Sequence, residues 1–70
     1  MVNSLRYVGT GDYRGDVLGT AFCDDGGEWR CTRWVAGSVT RIKTCDVATE
    51  SEARKFLLSD PRPGRLIKSR

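Results

Sequence analysis

Glu28–Cys45, EWRCTRWVAGSVTRIKTC, decides the fold. Apolar and polar residues alternate on both sides of Ala36-Gly37-Ser38, the pattern of two antiparallel strands joined at a glycine turn. A two-residue turn at Gly37-Ser38 pairs Val35 with Thr40, Trp34 with Arg41 and Arg33 with Ile42. Val35 and Ile42 then share one face, and Arg30, Thr32, Trp34, Arg41 and Lys43 share the other. Arg33 falls among the apolar positions, which predicts a packed stem and a guanidinium in water near the sheet's edge.

Upstream, Val17–Cys23 (VLGTAFC) reads as a strand, and Asp24-Asp25-Gly26-Gly27 is a hairpin signal. Centring the turn on Asp25-Gly26 pairs Cys23 with Glu28 and Phe22 with Trp29. A turn at Gly26-Gly27 would oppose Asp25 to Glu28, a like-charge pair, so the first register is preferred. Either places Leu18, Phe22, Trp29, Cys31 and Val35 on one face. Ser4–Val8 is a short alternating run and a first strand. Between the two lies GTGDYRGD, residues 9–16, a long loop for so small a domain, with Tyr13 and Arg14 at its tip. Tyr13 either folds back onto the core or stands out for contact.

Downstream, Thr49-Glu50-Ser51-Glu52 is a capping box, with the threonine hydroxyl accepting from the Glu52 amide and the Glu52 side chain reaching back. Ala53, Phe56 and Leu57 have the spacing of one buried helical face. Asp60-Pro61 ends the helix. Residues 61–70, PRPGRLIKSR, form a basic tail, either disordered or ordered by docking Leu66 and Ile67. The expected class is therefore α+β: a three- to four-stranded antiparallel sheet with one C-terminal α-helix on one face, in a domain over residues 1–60.

Seventy residues make one domain with one thin core layer and no enclosed active-site cavity. No apolar run approaches a membrane span, and MVNSLRYV lacks the features of a signal peptide. Cys23, Cys31 and Cys45 are an odd, widely spaced set without histidine, which fits reduced structural thiols better than a disulfide or zinc framework. Histidine is absent, the serines and threonines lack a base partner, and turns and the helix cap account for the acids. The expectation is a protein without enzymatic activity, cofactor, metal or catalytic residue.

The open sheet face is the remaining candidate. Trp34 beside Arg41 is either a self-protecting cation–π cover or part of a binding surface. The candidate partner-binding residues are Tyr7, Tyr13, Arg30, Trp34, Arg41 and Lys43.

In its order of parts the chain resembles the small phage anti-CRISPR inhibitors of the type I-F RNA-guided surveillance complex. LRYVGTGDY, AFCDDG, ATESEARKFLL and the basic Gly-Arg tail carry the likeness, from Leu5 to about Lys68. It implies that Tyr7 is a contact tyrosine; Cys23 and Trp34 stand where that pattern has a tyrosine and a glutamate. GEWRCTRWVAGSVTRIKT followed by SEARKFLL is similar to the sheet-reading DNA-binding domains of plant AP2 factors and integrase N-terminal arms. The first likeness implies an inhibitor that binds a bacterial defence complex in the host cytoplasm and occupies its nucleic-acid recognition surface. The second implies a DNA-binding module. The net charge is +3, but the tail alone supplies four cations, leaving eight basic against nine acidic residues in the body. With the tail set aside, that balance favours the inhibitor.

Overall fold

Both hairpins and the capped helix form, and they assemble an α+β domain. The computed structural model describes residues 3–69; Met1, Val2 and Arg70, at the ends of the expected domain and tail, lie outside the described residues. The order is β1 (Ser4–Gly9), a 3₁₀ turn (Gly11–Tyr13), β2 (Val17–Cys23), β3 (Trp29–Trp34), β4 (Arg41–Val47), α1 (Glu50–Leu58) and β5 (Gly64–Ser69). The strands make one antiparallel sheet in the order β4-β3-β2-β1-β5. The sheet has one strand more than expected, and the extra strand comes from the segment after Pro61. Among the described residues no helix is long and apolar enough to cross a membrane.

Strand parity sorts the side chains. Leu5 pairs with Ala21, Ala21 with Cys31 and Cys31 with Cys45, and this row faces α1. Leu5, Tyr7, Leu18, Ala21, Trp29, Cys31, Ala53 and Leu57 form the buried core. Leu5, Leu18 and Leu57 are 0–1% exposed, so each contributes roughly 1.5–3 kcal/mol of apolar burial. Thr49 caps α1: its hydroxyl accepts from the Glu52 amide at 3.2 Å. The reverse contact runs between side chains, the Thr49 hydroxyl donating to Glu52 Oε1 at 3.1 Å.

The first hairpin corrects the expected register. Cys23 pairs with Trp29 and Phe22 with Arg30. Asp24 Oδ1 accepts from the Gly26 and Glu28 amides at 2.9 and 3.0 Å, and Gly27 takes a φ of +84°. These side chain-to-backbone bonds build a longer loop than a two-residue turn, and β2 slips by one residue against β3. Phe22 is consequently on the helix-free face and 52% exposed, while Leu18, at an irregularity in the β1–β2 ladder, joins the core.

The second hairpin keeps the expected Trp34–Arg41 pair, and the Val35 amide donates to Thr40 O at 2.9 Å. Its turn closes from Ser38 N to Val35 O, centred on Ala36-Gly37 rather than Gly37-Ser38. The ladder then shifts, and Arg33 pairs with Lys43 instead of Ile42. Ile42 is the extra residue, at 55% exposure, and Val35 is 40% exposed, so neither joins the core. The shift also carries Lys43 to the helix side of the sheet.

Arg33 is on that side too, but its head is not in water. Its Nη2 donates to Phe56 O at 2.8 Å and Ser59 Oγ at 2.9 Å, and the guanidinium stacks on Phe56 at 4.8 Å. Asp60 lies 3.6 Å from Arg33 and 2.6 Å from Arg62, with its side chain 2% exposed. Arg62 also donates to Trp34 O at 2.8 Å and Leu18 O at 3.3 Å. The Tyr7 hydroxyl donates to Arg62 O at 2.6 Å, and the Thr10 amide to Pro63 O at 3.0 Å. This network delivers the chain to β1 in register for β5.

Candidate functional site

The helix-free face is a grid fixed by pairing. One row runs Ile67, Arg6, Thr20, Thr32, Thr44, and a second runs Ser69, Ser4, Phe22, Arg30, Asp46. The third holds Arg65, Val8 and Val17 towards β5, and Trp34 with Arg41 towards β4. Asp46 is the one carboxylate among these strand residues.

The six candidate residues separate. Tyr7 is a core residue at 5% exposure. Tyr13 is half-buried against the core, with the Arg62 guanidinium 5.9 Å from its ring. Lys43 is across the sheet from Trp34. Arg30 is on the open face but pairs with Asp46 at 3.1 Å; that hydrogen bond, with Glu28 and Asp24 nearby, holds its pKa up. Trp34 and Arg41 are brought together. The indole reaches from β3 over β2, where Nε1 donates to Thr20 Oγ1 at 3.0 Å. Cation–π contacts form at Arg33–Phe56 and Arg62–Tyr13, not at Trp34–Arg41.

Sequence reasoning missed several members of this surface. Val17, Thr20, Phe22, Trp34, Ser38 and Val39 line a shallow, largely apolar depression of about 290 Å³, with Val39 91% exposed. Among the described residues, Arg6, Arg14, Arg41 and Arg65 make no ion pair. Arg6 was readable, since it alternates with buried Leu5 and Tyr7. Arg65 was not, because its face depends on pairing between the two ends of the chain.

The face is electrostatically graded. Asp24 and Glu28 line a depression with Phe22, Arg30 and Asp46 at the β2–β3 loop end. Arg6, Arg41 and Arg65, with Trp34, occupy the remainder. Such a surface can donate charge-assisted hydrogen bonds and offer aromatic and apolar contact.

Burial sets Cys31 apart from the other two thiols. All three are free, and burial, with the neighbouring Cys45 thiol adding to it, pushes Cys31 up to about 11. Among the described residues no group of three or more His, Cys, Asp or Glu side chains is placed to hold a metal ion.

No family model, curated protein or solved structure matches the chain.

Proposed function

We propose that this protein is a non-catalytic binding module that engages double-stranded DNA with the helix-free face of its sheet. The observation that carries the proposal is the sharing of that face by three arginines, Arg6, Arg41 and Arg65, that make no ion pair among the described residues, with Trp34, while the single carboxylate of the described strand residues on it is neutralised by Arg30. Phosphate contacts from arginines supply most of the affinity of such proteins, and a sheet face can reach base edges in the major groove. The charge argument for an inhibitor depended on setting the tail aside. With β5 in the sheet, Arg65 belongs to the folded surface and the balance moves towards nucleic acid.

Fluorescence anisotropy with a labelled duplex tests this. Binding that weakens steeply with salt and falls at least tenfold in W34A/R41A, with the circular dichroism spectrum unchanged, is the expected result. A wild-type protein that leaves the duplex unbound at low salt would sink the proposal.

The second reading is an anti-CRISPR-like inhibitor, acting in the cytoplasm of a bacterial host, that covers the nucleic-acid recognition surface of a defence complex. The depression formed by Val17, Phe22, Trp34 and Val39 favours it, since an apolar centre with arginines around it is the layout of a protein hot spot. Co-purification with a CRISPR effector complex, with no duplex binding, would select it.

A further inference from the structure

Beside the arginine-bearing face, where the 9–16 loop meets the start of β5, there is an open cleft of about 590 Å³. Thr10, Arg14, Arg65, Gly9, Gly11 and Gly15 line it, and Val8 joins it to the open sheet face. Arg14 and Arg65 come from opposite ends of the chain, both are exposed, and neither has an ion-pair partner among the described residues. The carboxylates of the same loop, Asp12 and Asp16, are not among the lining residues.

Two exposed guanidinium groups lining one cleft make a positively charged site that an anion between them would neutralise. Gly11 and Gly15 leave this wall open: a Cβ on Gly15 would meet nothing within 4 Å and one on Gly11 only Pro63 Cγ at 4.0 Å, so a bulky oxyanion has room there. Thr10 adds a hydroxyl, which makes no hydrogen bond to another described residue. Arginine forks match tetrahedral oxyanions with paired N–H donors, and the cleft opens onto the face assigned to DNA.

We propose that the Arg14–Arg65 cleft clamps one phosphate of the nucleic-acid backbone, fixing the register of the duplex on the sheet. The proposal rests on the DNA-binding reading above. One phosphate held by two arginines predicts non-additivity. R14Q and R65Q should each lose most of what R14Q/R65Q loses, about tenfold in affinity, and the double variant should lower the salt slope by about 0.9, the value for one phosphate. Additive losses with a slope change near 1.8, or no loss, would overturn the clamp while leaving DNA binding standing.

Titration of the wild-type protein with inorganic phosphate, followed by NMR at the arginine Nε–H signals and the amides of residues 9–15, reads the cleft without DNA. Shifts at Arg14 and Arg65 in the wild type, with the Arg65 shift lost in R14Q, support the clamp. If phosphate leaves these signals unmoved and no duplex binds, the clamp and the DNA reading both fall. If phosphate binds there and no duplex does, the cleft is an anion site, and the DNA reading falls together with the backbone clamp that rests on it.

Discussion

Arg62 closes on Asp60 at 2.6 Å, with side-chain exposures of 15% and 2%, immediately before the chain turns into β5. The contact orders Arg62 so that it also reaches Trp34 O and Leu18 O, tying the exit of α1 to the centre of the sheet. Removing one partner from a buried ion pair leaves an uncompensated charge.

D60N should therefore lose about 3 kcal/mol of stability at pH 7 in urea melts. The Arg62 hydrogen bonds hold the Asp60 carboxyl below the usual carboxylate range, outweighing the opposing effect of burial. A group whose folded pKa is depressed stabilises the protein above its unfolded pKa, and that stability disappears as pH falls through the folded value. The gap between wild type and D60N should narrow below about pH 4. A gap of constant size from pH 7 to pH 3 would show that the ion pair is not its source.

Gly64 pairs with Gly9, and a Cβ on it would lie 2.7 Å from Val8 O and 2.8 Å from the Tyr7 ring. Neither neighbour is a free side-chain end, so β5 must lift. G64A should cost about 2 kcal/mol, as overpacking does, and amide exchange in β5 should accelerate before exchange in β2 or β3. DNA affinity should fall with it, since Arg65 moves with the strand.

The salt dependence of duplex binding should distinguish the two sides of the sheet. R6A and R41A are each expected to reduce the slope by about 0.9, the effect of one phosphate contact. K43A should leave it unchanged, because the shift in the β3–β4 ladder places Lys43 opposite Arg33 on the helix side. An equal loss in K43A would mean that the contact surface wraps around the β4 edge.

Thiol labelling tests the packing of the core. At pH 8 and without denaturant, Cys23 and Cys45, both partly exposed, should react with iodoacetamide well before Cys31. Cys31 is 0% exposed with its pKa raised to about 11, so its labelling should follow the opening of the domain. Equal rates at all three positions would contradict the packing of α1 on β3.

The α+β class, the helix and the parity of β3 were legible because each rests on local chemistry: alternation from Trp29 to Trp34, and Thr49 with Glu52 at the cap. Pairing of the first hairpin was not. Asp24 satisfies two amides with its carboxylate, and the resulting loop outcompetes the Asp25-Gly26 turn. The one-residue difference sends Phe22 outward. Of the candidate site, the Trp34–Arg41 pair was visible from its hairpin. Arg65 and the buried Arg33–Asp60–Arg62 group were hidden, since they depend on contacts between parts of the chain far apart in sequence.

The pairing of Ser4 with Ser69 has a kinetic consequence. Neighbouring hairpins among β2, β3 and β4 form by short loop closures, whereas the β1–β5 ladder must close a loop spanning nearly the entire chain. Arg6 and Arg65 become neighbours at that closure. A chain stalled during synthesis, or clipped before Gly64, could hold most of its core and still lack the assembled cationic surface, so ligand capture would report that folding has gone to completion.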